Sequence, residues 1–355
     1  MSMSAACKRA AALAVAALLA CGTPRPALAD DALTVIGASE PTGFFEILLH
    51  VAEHAGFFAD EHLAVSVQYV TVGGSSAAAQ LVASGKADIA ELATEPLLQG
   101  YQHGLRLQGF LSRDPRYQWV LAVLDDSPIK TLVDFKGATL GEMSVGSPSE
   151  TEDVATLGGA GLKRGDWTYL PVGHGATAIS AFTSKKVDGA SFPYVELASY
   201  EVNAHIKFRY FWNPILKDIG DVTYAATPAV IEAKADALAR FARASVKASI
   251  VIRENPRLAA RYFLEGAGVR VTPEALDNET RLLTLGYDQL PGMDPTSTKI
   301  GSLPPLGMEV LAKFLYDNGV TAQLVPVDAF MTDRFVGYAN DFDHRAFIAY
   351  ARSLH

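Results

Sequence analysis

Five residues near the start of the chain, His50-Val51-Ala52-Glu53-His54, have the types and spacing of metal chemistry. On a helix, residues three and four apart share a face. Two imidazoles so placed can hold a zinc ion, with Glu53 as a base. This spacing defines the sharpest enzymatic alternative, an exported metal-dependent hydrolase using His50, Glu53 and His54. No downstream motif marks a third ligand, so the preferred reading makes these polar residues the solvated face of the first helix. Ser127-Pro128-Ile129-Lys130 has the S-x-x-K spacing of acyl-enzyme nucleophiles. Its S-D-N and K-T-G companions are missing, and Asp125 and Asp126 ahead of Pro128 read as a turn. The sequence contains neither G-x-S-x-G nor a phosphate-binding P-loop. These observations predict no catalytic residue, no metal and no cofactor.

A second set of residues suits binding. Gly73-Gly74-Ser75-Ser76 falls where a strand gives way to a helix. Unpaired backbone N–H groups there point outward and favour an anion or polar oxygen. Ser39-Glu40-Pro41-Thr42 follows the first strand, where the Glu40 carboxylate would suit an amine or a hydrogen-bond donor. Glu91, Thr94 and Glu95 follow the third. In the second half, Ser144 to Ser149 is a small-residue turn after a strand, and Tyr194 follows Phe192-Pro193. The predicted ligand contacts are Ser39, Glu40, Thr42, Gly74, Ser75, Ser76, Thr94, Glu95, Ser144, Ser147 and Tyr194. Trp119 and the Phe208-Tyr210-Phe211-Trp212 cluster are assigned to packing, and His174 to an exposed loop. No particular arginine is marked as a charge partner.

The elements that must position these residues follow from hydrophobic periodicity. Leu33 to Gly37 reads as a short buried strand. Gly43 to Ala55 has helical spacing, with Gly56 as its C′ residue. Leu63 to Thr71 alternates as a strand, Gly73 to Ser84 is helical, and Asp88 to Leu92 is again a strand. Strands alternating with helices imply βαβ units and a largely parallel sheet. Residues 72–90 (VGGSSAAAQLVASGKADIA) are echoed by residues 172–190 (VGHGATAISAFTSKKVDGA) at a constant offset. Paired identities include Gly73/Gly173, Ser84/Ser184, Lys86/Lys186 and Asp88/Asp188. The echo predicts two lobes built on the same strand–turn–helix–strand unit. The expected division is residues 30–123 for the first lobe, 124–222 for the second, and 223–355 returning to the first with C-terminal helices. Crossover strands are expected near 123–125 and 222–226. A long helix is expected over Ala233 to Glu254.

The 355 residues, 49% hydrophobic and 19% charged, are too many for one small core and too apolar for disorder. Net charge is −9 with no basic block, which argues against a nucleic-acid role. Lys8 and Arg9, the apolar run Ala10 to Ala20, and Ala27-Leu28-Ala29 form a signal peptide over residues 1–29. Leu18-Leu19-Ala20-Cys21 offers an alternative, a lipid anchor at Cys21. Cleavage after Ala29 removes both cysteines and three of the 30 basic residues, leaving 27 against 39 acids.

Several motifs now carry a resemblance. They are Ala55-Gly56-Phe57-Phe58, Val72-Gly73-Gly74-Ser75-Ser76, Ser84-Gly85-Lys86-Ala87-Asp88-Ile89-Ala90, the stretch from Asp126 to Gly137, and Lys186-Val187-Asp188-Gly189-Ala190. In this order on an exported chain, they resemble the solute-binding proteins of ATP-driven importers. The nitrate, sulfonate and taurine group is most similar, with the thiamine-pyrimidine-precursor binders beside it. The resemblance implies a type II two-lobed α/β clamshell, each lobe a mainly parallel sheet flanked by helices, joined by two crossover strands. It implies a periplasmic monomer without catalytic activity. That monomer would capture a sulfonate, carboxylate or nitrogen heterocycle and pass it to a membrane permease with a separate ATPase subunit. A ligand-presenting sensor module is the remaining alternative. The sequence departs from the group in carrying Pro128 where glycine is common. It also lacks the cysteine-rich motif of eukaryotic pyrimidine-synthesis relatives, which argues against that synthesis.

Overall fold

The computed structural model describes residues 31–38, 47–70, 73–114, 117–145, 147–213, 216, 219–288 and 296–355. The expected signal peptide, the Cys21 anchor and the candidates Ser39, Glu40 and Thr42 lie outside the described residues. Among the described residues, ten strands form two sheets of five. They are β1 (Asp31–Gly37), β2 (Leu63–Tyr69), β3 (Ile89–Ala93), β4 (Gln108–Asp114), β5 (Trp119–Leu124), β6 (Thr139–Glu142), β7 (Thr168–Pro171), β8 (Gly189–Pro193), β9 (Phe208–Phe211) and β10 (Val222–Ala226). Helices of eight or more residues are α1 (Ile47–His54), α2 (Gly74–Ala83), α3 (Thr94–Gln102), α4 (Pro148–Gly159), α5 (Ala176–Thr183), α6 (Tyr194–Ala204), α7 (Ala235–Glu254), α8 (Pro256–Gly266), α9 (Pro273–Asp288), α10 (Pro305–Asp317) and α11 (His344–Ser353).

The two sheets have matching topology, β2-β1-β3-β10-β4 and β7-β6-β8-β5-β9. In each, three parallel strands are followed by one reversed strand, β10 or β5, and then by a strand in the original sense. The reversed strand is the first one after the chain passes from one sheet to the other. This has a direct geometric consequence. The carboxyl ends of the forward strands and the amino ends of the two reversed strands gather at one edge of each sheet. Trp119 to Leu124 was expected to end in a crossover near 123–125. It lies wholly within the second sheet, between β8 and β9, and Val222 to Ala226 lies wholly within the first. The passages are the segments between Asp114 and Trp119 and between Phe211 and Val222.

Local chemistry accounts for the main elements. All five residues of β3 are buried, as expected for an interior strand with helices on both faces. Gly56 takes φ 77°, the left-handed conformation that ends α1. The long helical stretch is divided, because Lys234 interrupts it before α7 and Pro256 starts α8 after the Asn255 cap. Leu238, Phe241, Val246 and Ile250 of α7 pack into the core of the first lobe.

The internal echo is structural. Asp88 and Asp188 precede β3 and β8 and make the same clamp on the neighbouring strand. Asp88 Oδ2 accepts the Thr34 N–H at 2.9 Å, and Asp188 Oδ2 accepts the Thr139 N–H at 2.8 Å. The backbone N–H of each Asp donates back to the carbonyl of the same partner. Ser84 and Ser184 both close their helices through hydroxyl-to-carbonyl bonds. The clamps differ in surroundings. Asp88 is half-buried and pairs with Lys234 Nζ at 2.8 Å, whereas Asp188 is exposed. Asp188→Ala should therefore cost about 1 kcal/mol and Asp88→Ala about 2 kcal/mol. Urea unfolding of the two variants checks this; equal losses would assign no role to burial at Asp88.

Candidate functional site

The gathered strand ends enclose a cleft with a cavity volume of about 110 Å³, lined from both sheets. The first sheet supplies Ala38 after β1, Glu91 to Ala93 of β3, Arg113 of β4 and Val222 of β10. The second supplies Trp119 at the start of β5, Met143 to Val145 after β6, and His174. Helix starts complete the walls, with Gly73 to Ser76 at α2 on one side and Ser147 and Pro148 at α4 on the other.

The α2 wall depends on glycine. Gly73 is the N-cap residue at φ 89° and Gly74 follows at φ 52°. A Cβ at Gly73 would sit 3.0 Å from the Ala77 Cβ in a backbone region that strains other residues. No side chain caps this helix. The serines thus do not fill the cap position that a polar oxygen on a ligand would take. Ser75 Oγ instead accepts the Ala93 N–H at 3.1 Å and ties α2 to the end of β3. On the opposite wall, the Ser147 N–H donates to the Ser144 carbonyl at 3.0 Å. The Ser147 hydroxyl donates to Ser149 Oγ at 3.1 Å, and Ser149 donates to the Ser191 carbonyl at 2.9 Å. These bonds fix the turn against β8.

A buried charge network floors the cleft. Arg113 Nε lies 3.2 Å from Glu91 Oε1, and the guanidinium also pairs with Asp114. Behind this pair stand Glu95, Tyr117, Asp221 and Glu152, all buried. Burial pushes Glu95 up from 4.5 to about 7. Burial, together with Glu95 and Asp114, pushes Asp221 well above its usual range, and burial does the same to Glu152. Asp114 is also raised by burial, against the pull of Arg113.

The structure brings together Gly74, Ser75, Ser76, Ser144 and Ser147 of the predicted contacts. Thr94 and Glu95 are not part of the lining. The Thr94 hydroxyl donates to the carbonyls of Gly220 and Asp221 at 2.8 and 2.9 Å, pinning α3 to the return passage. Glu95 turns inward toward Tyr117, and Pro96 faces the cleft in its place. Tyr194 packs with Tyr210 and Trp212, at ring distances of 5.5 and 5.4 Å, away from the lining. Arg113 was missed, although a charged pair ending the apolar run Gly109-Phe110-Leu111-Ser112 is a signal for it. Trp119 is buried in the core and His174 is exposed in a loop, as assigned, and both also line the cleft. His50 is buried rather than solvated, because its ring packs on Phe263 and Gly266 of α8. Glu53 and His54 are exposed, and none of the three lines the cleft.

Two mixed sheets, each with two parallel and two antiparallel pairings rather than the mainly parallel ones expected, and a cleft at their shared strand ends, define the periplasmic-binding-protein fold. Residues 46–259 match the family described as NMT1/THI5 like, and the chain belongs to that family. No curated protein matches it by sequence. Solved structures share the fold. The alkanesulfonate-binding protein SsuA from Xanthomonas axonopodis pv. citri, bound to MOPS, is 14% identical with a TM-score of 0.65, over 86% of this chain and 98% of that one. The periplasmic aliphatic sulphonate binding protein SsuA from Escherichia coli is 17% identical with a TM-score of 0.63, over 84% and 91%. The desulfurization enzyme DszB, in complex with biphenyl-2-sulfinic acid, is 14% identical with a TM-score of 0.60, over 87% and 99%. Among the described residues, no helix is long and apolar enough to cross a membrane.

The raised carboxyls set a pH dependence. In the folded chain Glu95 keeps its proton up to about pH 7, whereas in the unfolded chain it releases it near 4.5. Its contribution to stability is therefore complete below pH 4.5 and is lost as pH rises through 7. Glu95→Gln keeps the shape and removes the titration. It should match the wild type in thermal midpoint at pH 4.5 and exceed it at pH 8. A variant with the wild-type pH profile would show that Glu95 is ionised in the folded chain.

Proposed function

We propose that the chain is the extracytoplasmic solute-binding component of an ABC importer and has no catalytic step of its own. In this reading it is a periplasmic monomer, exported by residues 1–29 or anchored at Cys21. It captures a small organic solute between the two lobes and presents it to a membrane permease whose ATPase is a separate subunit. Delivery to a sensor would use the same cleft. The observation that carries the proposal is the composite lining. Each lobe contributes one helix start and its strand ends, so an occupant touches both walls, and closing the lobes around it adds contacts. Membership of the family and the fold shared with two sulfonate-binding proteins support this.

The lining narrows the solute. Trp119, Met143, Pro96, Leu92 and Val222 provide apolar walls for an organic body. The start of α2 suits an oxyanion such as a sulfonate or carboxylate. Arg113 is already paired with two acids, so it adds little free positive charge. A solute with one oxyanion, an apolar body and hydrogen-bond donors fits these features together, as an aminosulfonate does.

A thermal-shift screen of the chain from residue 30 onward tests the reading. The panel holds sulfonates, carboxylates, nitrate, amines and pyrimidines. A solute at 100 times its dissociation constant stabilises by about 2.7 kcal/mol, a rise of roughly 5–11 °C for a chain of this size. One chemical class should give a saturable rise. For an anionic solute, Gly74→Asp should weaken binding by at least about tenfold and more than Gly74→Asn, which carries the same left-handed backbone strain without the charge. Unchanged affinity would remove α2 from the site. Absence of a shift with every class, in protein shown to be ligand-free by native mass spectrometry, would overturn the proposal for these solutes.

A further inference from the structure

We infer that His50, Glu53 and His54 form a binding site for a first-row divalent metal ion of the Zn²⁺ or Ni²⁺ type, on α1 and apart from the cleft. One ligand atom from each residue lies within 4.8 Å of the others. The spacing i, i+3, i+4 puts all three on one helical face. Two imidazoles and one carboxylate are a donor set suited to borderline metals rather than to Ca²⁺ or Mg²⁺.

Packing arranges these donors before any ion arrives. The His50 ring lies edge-on to Phe263 at 5.7 Å and against Gly266 of α8. A Cβ at Gly266 would fall 2.2 Å from His50 Nδ1, so only glycine leaves room for the ring. His54 stacks on Tyr262 at 5.7 Å. His54 Nδ1 lies 3.0 Å from the His50 carbonyl, which can only accept, so Nδ1 carries the proton and Nε2 keeps its lone pair when the ring is neutral. Glu53 and His54 are exposed, which gives an ion access from solvent. Three protein donors leave positions for water. A bound ion would hold the exposed end of α1 in the position where His50 and His54 already pack against α8.

The test uses the untagged chain from residue 30 onward, stripped with a chelator, and Zn²⁺ alone as the probe. Competition against a chromophoric chelator should show one equivalent bound, with a rise in thermal midpoint. His54 is exposed, so His54→Ala should fold and weaken Zn²⁺ binding roughly 10- to 100-fold. Glu53→Gln should weaken it less. His103→Ala, at an exposed histidine elsewhere, should change nothing. None of these variants should alter solute binding in the cleft, so loss of the metal site and failure of the transport reading are separable. Absence of a stoichiometric Zn²⁺ site, or binding in His54→Ala equal to the wild type, would overturn the assignment.

Discussion

Arg113 is the residue whose burial constrains the rest of the cleft. An ionised guanidinium taken out of water costs several kcal/mol unless it is paired and hydrogen-bonded. Its partners come from two strands that are not neighbours, Glu91 on β3 and Asp114 on β4. The strand between them is β10, which enters the sheet only after the chain has built the second lobe. The Asp221 N–H ahead of β10 donates to the Asp114 carbonyl, and the Thr94 N–H donates to the Asp221 carbonyl. The charge pair, the return passage and the start of α3 therefore depend on one another. A misplaced β10 would strand buried carboxylates beside one arginine, so the network favours a single way of closing the first sheet.

Much of this architecture is legible because it was written twice. The echo between residues 72–90 and 172–190 preserves the residues with backbone jobs: the turn glycines Gly73 and Gly173, the helix-closing serines, and the aspartates that clamp the next strand. Such roles need a particular residue type at a particular place, so they survive where packing positions drift. Strand direction within the sheets is less legible. β5 and β10 read as ordinary apolar runs, and nothing in Trp119 to Leu124 says that it runs against its neighbours. Only the fact that each follows a passage between lobes reverses it, and that is a property of topology rather than of local sequence.

The site was half visible for a related reason. Helix starts announce themselves through glycine, serine and proline, and those residues do reach the cleft. Side-chain direction does not announce itself. Thr94, Glu95 and Pro96 are consecutive, but the turn from β3 into α3 sends the first two into the hinge core and the third into the cleft. Tyr194 follows β8 as Thr94 follows β3, and it too turns away, onto Tyr210 and Trp212. The analogous positions in the two lobes thus serve structure in both. Polar type favours a ligand role for such residues, but Thr94 is claimed by the carbonyls of the return passage and Tyr194 by aromatic packing.

That competition also shapes what the cleft can select. Buried carboxyls outnumber the arginine beside them, and burial raises several of them above the usual carboxylate range, which disfavours their charged form. The floor is therefore rich in polar atoms whose charge burial disfavours, and its walls are largely apolar. Discrimination in such a site comes less from Coulomb attraction than from the cost of leaving a buried donor or acceptor unmet. It comes also from reach. Under the proposed clamshell closure, a solute that engages α2 but not the Ser144–Ser147 turn would bind open and closed forms alike and shift no equilibrium between them. If the proposed closure operates, only a solute that meets both helix starts would gain by it, so the two walls would select for length as well as for chemistry.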